Sequence, residues 1–341
     1  MQIFFKSILL TLSAFLILGC GGTSPKPSAS TMPNWYLNQA LSDANTYYGV
    51  GSGSSKEAAY SNALAQVGGE ISTKISSSTD MTDVDTNDKF TSDTTIKTKT
   101  SIETMKFTGV TVVENAYVDG KFYTYLQVDR NILFKAQKKA FDENYNKLTS
   151  FYASAKNKNV FSLIKNKSKI QASVLESSSK LPILKTINAK FDDAKYTKVL
   201  SNISNDTRDA ASNAMVYVSN KNAKEYQEIL KQYITGFGMT VVKSPRSVKN
   251  KKNLLKVHVT KRANPKTVRS SDPRLKNAFF ADVIVNLSTK DYANKEIASN
   301  RIAVVNISKK SYKAAVKKTK KFEREIKKKG IVNILLSKSS K

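Results

Sequence analysis

The only cysteine of the 341-residue chain is Cys20, so everything after it must fold without an internal disulfide. Stability has to come from buried apolar area. At this length the chain can supply two or more cores, since domains run about 100 to 200 residues. The neighbours of Cys20 decide what its sulfur is for. Ile8 to Leu18 form an eleven-residue stretch interrupted only by the polar Thr11 and Ser13. That is the length of a signal-peptide core, whereas a spanning helix needs roughly 20 apolar residues. Residues 1–19 are therefore expected to export the chain, and no later segment approaches spanning length.

Leu16-Ile17-Leu18-Gly19-Cys20 resembles a bacterial lipobox, the place where a signal peptidase cuts before a cysteine carrying a diacylglycerol. The resemblance implies that Cys20 becomes the lipidated first residue, an anchor and neither a catalyst nor a metal ligand. Buried acyl methylenes are worth about 0.8 kcal/mol each, so several chains together hold the protein at a membrane. The plainer alternative is an ordinary signal peptide with a chance cysteine. Gly21 stands where well-studied inner-membrane lipoproteins carry aspartate, which points to the outer membrane; the folded part is expected on the periplasmic side, with the cell surface as the alternative. Gly, Ser and Pro dominate the stretch to Pro33, so residues 20–33 read as the lipidated cysteine and a flexible tether. Its thirteen residues from Gly21 reach about 43 Å at roughly 3.3 Å each.

An N-terminal α+β domain is expected over residues 34–130. Tyr47 to Gly53 reads as a short strand, and Ser54 to Glu57 has the spacing of a capping box opening a helix. Tyr60, Leu64, Val67, Ile71 and Ile75 form one apolar helix face. Gly68-Gly69 in its middle predicts a bend or a close backbone approach. Asp83, Asp85 and Asn87 fall at the first, third and fifth places of a calcium loop, but Asp88 stands where glycine is needed and Thr94 where glutamate is. A solvated acidic loop over Asp80 to Asp93 fits better, with no metal. Ser101 to Val118 and Phe122 to Asp129 then read as two strands joined at Asp119-Gly120, a strong hairpin signal.

Pro33-Asn34-Trp35-Tyr36, Tyr48-Gly49-Val50-Gly51, the alanines Ala58, Ala59, Ala63 and Ala65, and Gly120 to Tyr123 leading to Leu126-Gln127-Val128-Asp129 together resemble the Lpp-twenty lipoprotein family. The likeness covers roughly residues 33 to 135. It implies an outer-membrane lipoprotein, in a family that includes components associated with flagellar rings.

Residues 131–204 read as a lysine-bearing helical connector. Phe134, Phe141, Tyr145, Leu148, Tyr152 and Ala155 keep heptad-like spacing. Val160, Leu163, Lys167, Ile170 and Val174 nearly repeat it, and Leu181-Pro182 is expected to end the helix.

Residues 205–341 read as a basic α/β domain. Strands are expected at Ala214 to Val218, Met239 to Val242, Leu254 to Thr260, Ala278 to Leu287 and Ile297 to Ile307, with a helix capped by Asn222 and Glu225 after the first. A helix from Ser311 to Lys329 stops at Gly330, and Ile331 to Leu336 reads as a closing strand. This order resembles the periplasmic domains of curli-secretion and penicillin-binding-protein activator lipoproteins, by topology alone. The fold class is α+β: two small α/β domains with antiparallel or mixed sheets, joined by helices.

Catalysis finds no purchase in this sequence, and no enzyme, cofactor or metal site is expected. His258 is the only histidine and alternates away from Val257 and Val259. No phosphate loop or dinucleotide fingerprint occurs.

The charge is more informative: 56 Lys and Arg against 27 Asp and Glu give a formal +29. Such a balance suggests nucleic acid in a cytoplasmic protein. An exported chain meets anionic lipid, glycan or peptidoglycan instead, so no nucleic acid is expected. Between Lys243 and Lys276 twelve basic residues face the single acid Asp272. Lys261, Arg262, Lys266, Arg269, Arg274 and Lys276 are the candidate anion-binding set on an expected loop, the arginines suited to bidentate contacts. A solvated lysine-rich face without a ligand is the alternative. The expected role is a structural or assembly component of the envelope, partnered by envelope proteins or by itself. An adaptor for cell-wall synthesis or secretion, or a binder of anionic glycan or lipid, is the runner-up.

Overall fold

The computed structural model describes residues 32–80, 89–267, 273–275 and 277–337. Cys20, the tether as far as Thr31 and the calcium-like Asp83, Asp85 and Asn87 lie outside them.

A one-turn helix α1 (Asn34–Leu37) leads into β1 (Thr46–Gly53), α2 (Lys56–Asp80), α3 (Lys89–Glu103), β2 (Val110–Val118) and β3 (Lys121–Asp129). The three strands form an antiparallel sheet in the order β1-β3-β2. Asp119 and Gly120 join β2 to β3 with both φ angles positive, 50° and 76°. That is the geometry a two-residue hairpin needs.

Ser55, not Ser54, caps α2: its Oγ accepts from the Ala58 amide at 3.1 Å. Helix α2 runs unbroken through Gly68-Gly69. The close approach belongs to glycines of β1 instead. A Cβ on Gly49 would stand 2.4 Å from the Ala63 carbonyl oxygen, and one on Gly51 2.3 Å from Ala59 O and Ala63 N. Small residues on both elements let α2 lie directly on the strand.

Ser101 to Glu103, expected as strand, is the end of helix α3. Threonine hydroxyls on the helix and just beyond it bond carbonyls one turn back, contacts a helix tolerates, while burial of Ile102 in the small core holds it in place. Thr98 Oγ1 donates to Thr94 O at 2.8 Å, Thr100 Oγ1 to Ile96 O at 3.1 Å and Thr104 Oγ1 to Thr100 O at 2.9 Å.

Three helices follow: α4 (Arg130–Lys158), α5 (Val160–Ile187) and α6 (Ala194–Asp209). Asp129 caps α4 by accepting from the Ile132 amide at 2.9 Å. Asn159 separates α4 from α5 and caps the latter through Ser162 N at 2.9 Å. Pro182 does not end α5, which continues to Ile187. A proline there deprives the Ser178 carbonyl of its helical donor. The turn survives because Leu181, Ile183, Leu184 and Ile187 are all buried and the Thr98 hydroxyl donates to the adjoining Ser179 carbonyl at 3.1 Å.

The C-terminal part contains β4 (Met215–Lys221), α7 (Lys224–Gly236), β5 (Thr240–Val242), β6 (Leu254–Lys266), β7 (Phe279–Lys290) and β8 (Glu296–Ser308). It closes with α8 (Tyr312–Val316), α9 (Lys320–Lys329) and α10 (Ile331–Leu336). The sheet order is β5-β4-β6-β7-β8, with β4 parallel to β5 and β6 and the other pairs antiparallel.

Three expectations are corrected here. Asn222 does not cap α7. It sits at φ 58° in the turn, and Asn220 Oδ1 accepts from Ala223 N at 3.3 Å instead. The helix expected over 311–329 breaks between Val316 and Lys320. Residues 331–336 are helix, because Ile331, Ile334, Leu335 and Leu336 bury together on one side. The Asn300 side chain donates to the closing carbonyls Ile334 O and Ser337 O, both at 2.8 Å.

Two apolar cores result. The smaller gathers Tyr47, Val67, Ile71, Leu126 and Val128 with Ile183 and Ile187 from the end of α5. The larger runs from Phe141 on α4 through α5 and α6 to the C-terminal sheet and α10. Replacement Gly51→Ala should lower stability by about 3 kcal/mol or more, because the methyl meets backbone rather than a movable side chain. Urea denaturation checks this, with Gly69→Ala, where a Cβ meets open space, expected to stay at or above wild type.

Candidate functional site

Three parts of the molecule present surfaces a partner could meet: the outer face of the small sheet, a cleft between helices, and the basic C-terminal sheet. On the first, Trp35 and Tyr36 of α1 lie over β3. Trp35 stacks on Tyr125 at 5.9 Å, and Tyr36 meets Tyr123 edge-on at 4.9 Å. Tyr48 approaches Tyr125 at 6.0 Å, so these rings plate the outer face. Burial, then the neighbouring Tyr48 and Glu114, raise the Tyr125 hydroxyl above its usual pKa.

A cleft of about 690 Å³ opens between α2, α3, α5 and α6. Hydroxyls of Ser72, Ser76, Thr98 and Ser201 line it over Ile102 and Leu200. Among the described residues its lining holds one cation, Lys99, and one carboxylate, Asp193. Among the described residues no group of His, Cys, Asp and Glu is placed to hold a metal ion.

The side chains of Lys261, Arg262 and Lys266, the candidates among the described residues, do not converge. Residues 261–266 belong to strand β6, paired with β7, and not to a loop. Lys261 bonds Glu225 at 2.5 Å and lies 5.7 Å from the Tyr226 ring centre. Lys266 bonds Asp282 at 3.2 Å. Arg262 alternates to the opposite face from Lys261. It stands exposed on the outer side of the sheet with Lys256, His258 and, two strands away, Arg301. Arg274 lies in the turn Pro273–Leu275, while Arg269 and Lys276 fall outside the described residues. His258 faces solvent as its alternation predicts, its Nδ1 2.9 Å from Ser219 Oγ.

Charge is divided sharply along the chain. Residues 33–129 hold seven Lys and Arg against twelve Asp and Glu, whereas residues 205–341 hold 32 against ten. Two parts of opposite sign are thus carried on one frame.

Two further interactions escape sequence reasoning because their partners are distant in the chain. The Arg130 guanidinium donates to Ile187 O at 2.9 Å, Thr186 O at 2.8 Å and Asp43 O at 2.6 Å, and packs 4.4 Å from the Tyr47 ring centre. Tyr226, fully buried, donates to Val316 O at 2.9 Å and Lys318 O at 3.1 Å, and receives the Asn306 amide at 3.3 Å. Its hydroxyl holds the break between α8 and α9.

The family model of the LPP20 lipoprotein matches residues 33–129, from the residue before α1 to the last residue of β3. Among solved structures the chain is similar to the secreted protein HP1454 from Helicobacter pylori. Identity is 13% and the TM-score 0.41, with 82% of this chain and 96% of that one covered. A minor lipoprotein from Acinetobacter baumannii covers 35% of this chain and 81% of its own, at 10% identity and TM-score 0.22. Lipoprotein B from Nitrosomonas europaea covers 35% and 77%, at 14% identity and TM-score 0.22. No curated protein matches the chain.

Burial, then the Glu225 charge, push the Tyr226 hydroxyl up to about 12, with Asn306 pulling the other way. A raised folded-state pKa means that the neutral phenol is favoured by folding. Its contribution is complete below the unfolded value of about 10 and is lost as the pH climbs toward 12. Tyr226→Phe should therefore flatten the alkaline loss of stability between pH 10 and about 12. At pH 7 it should cost about 1–3 kcal/mol, since Val316 O loses its donor, whereas Lys318 O keeps the Asn306 amide at 2.7 Å. Urea midpoints measured from pH 7 to 12 check both effects.

Proposed function

We propose that this chain is an envelope lipoprotein, acylated at Cys20, held at the outer membrane with its folded part facing the periplasm, and acting there as a structural or assembly component. The observation that carries the reading is the match of residues 33–129 to the LPP20 lipoprotein family, which starts thirteen residues after a cysteine in a lipobox-like setting. The intervening segment gives the reach to stand off a lipid surface. No helix among the described residues is long and apolar enough to cross a membrane, consistent with holding by lipid.

A non-catalytic role fits the side chains. His258 lies on an open sheet face bonded to Ser219, with no carboxylate among the described residues bonded to the imidazole. A helical frame joining two cores suits a part that positions other components. The second reading, an adaptor or binder meeting anionic glycan or lipid, is favoured by one observation, the excess of 32 basic over ten acidic residues in 205–341.

Metabolic labelling with a palmitate analogue tests the anchor. Wild-type chain should carry label and sediment with the outer-membrane fraction, while Cys20→Ser should lose the label. Label retained on Cys20→Ser, or an unlabelled wild type, would remove the anchor from this account.

A further inference from the structure

The two edges of the small sheet are treated differently. In an antiparallel ladder alternate residues turn their N–H and C=O away from the partner strand. On β1 these are Tyr48, Val50 and Ser52, and side chains take up one outward backbone group of each, which breaks the row a new strand would need. Tyr48 N donates to Ser42 Oγ at 3.1 Å, Val50 N to Gln66 Oε1 at 2.6 Å, and Asn62 Nδ2 to Ser52 O at 2.8 Å. That edge cannot add a strand.

On β2 the outward-turned residues are Asn115 and Tyr117. Their side chains occupy the close, non-hydrogen-bonded pairs with β3: Asn115 Oδ1 accepts from Thr124 Oγ1 at 2.9 Å, and Tyr117 packs on Phe122 at 4.6 Å. Among the described residues no side chain bonds to the backbone of this edge. Natural edges are commonly blunted with lysine, yet β2 has no basic residue in a chain with 56. Val112, Val113 and Tyr117 are instead 41%, 43% and 64% exposed. Its guards are the exposed Glu114 and a bulge between Val112 and Glu114, which limits the open run to a few residues.

We infer that the β2 edge pairs antiparallel with β2 of a second copy of this chain, about a two-fold axis at Asn115. That register sets Asn115 against Asn115, Glu114 against Ala116, Val113 against Tyr117 and Val112 against Val118. The only charged residue of the strand then faces alanine, so no like charges stand directly opposite, and Val113 against Tyr117 is a β-branched–aromatic pair of the kind that stabilises cross-strand neighbours. Because β1 is sealed, each sheet offers one open edge, so the pairing closes at a dimer with a six-stranded sheet instead of growing into a fibre. The surface is independent of the anchor at Cys20.

Cysteine cross-linking in native membranes reads this register. Glu114 and Ala116 form a non-hydrogen-bonded pair across the seam, with Cα atoms about 4.5 Å apart, within disulfide reach. Full-length Glu114→Cys and Ala116→Cys chains, co-expressed and oxidised, should give a disulfide-linked dimer. Each expressed alone should not, and these controls also reveal any bridge through an unacylated Cys20, so a failed anchor is told apart from a failed seam. Val113→Lys added to both chains, on an exposed position, should keep the helical circular dichroism and abolish the dimer band. A co-expressed pair no more cross-linked than its controls, or a band that survives Val113→Lys, would overturn the assignment.

Discussion

The frame depends on one side chain, Arg130, at the C-terminal end of α5. The last carbonyls of a helix have no partners within it and carry the negative end of its dipole. Arg130 supplies three donors there and to Asp43, with Tyr47 beneath its guanidinium plane. Tyr47 adds its own hydroxyl to Thr186 O at 3.2 Å. The preceding residue, Asp129, ends β3 and caps α4. Two adjacent residues thus close the small sheet, start one long helix and finish another. A lysine at 130 would bring one point charge where a planar fork is needed.

This clamp explains why the two apolar cores are not independent. It holds the end of α5 against β1, and Ile183 and Ile187 there belong to the small core while Val174, Leu181 and Leu184 belong to the large one. Burying an isoleucine side chain contributes about 1.5–3 kcal/mol, so the two form a substantial joint. The hydroxyl of Thr98 on α3 reinforces it beside Pro182, where the helix has lost a donor. An acidic part with one open sheet edge and a strongly basic part with an exposed sheet face are held in fixed relation by this joint. That arrangement suits the scaffolding role proposed for the chain.

Local signals made much of this legible. Asp119-Gly120 specified its hairpin, the spacing from Tyr60 to Ile75 specified α2, and the alternation around His258 placed it outward. The readings that failed were those in which distant partners outweighed local preference. Thr-rich α3 looked like strand, but Ile102 found the small core and Thr98 found the Ser179 carbonyl of α5. Ile331 to Leu336 has strand-like composition, yet its burial pattern and the Asn300 cap make it helix. The basic cluster near Arg262 was visible as charge. The pairing of Lys261 with Glu225 and of Lys266 with Asp282 was not, because those partners are placed only by the fold.

Trp35 is the only tryptophan and stacks on Tyr125 in the small sheet, so its fluorescence reports that sheet alone, whereas far-ultraviolet circular dichroism reports the helices of both cores. Equilibrium urea unfolding followed by both signals tests the coupling through Arg130 most directly. Coincident transitions are the result predicted here, with separation only after Arg130→Met. A wild-type fluorescence transition at clearly lower urea than the dichroism transition would show that the cores unfold separately and would contradict the account.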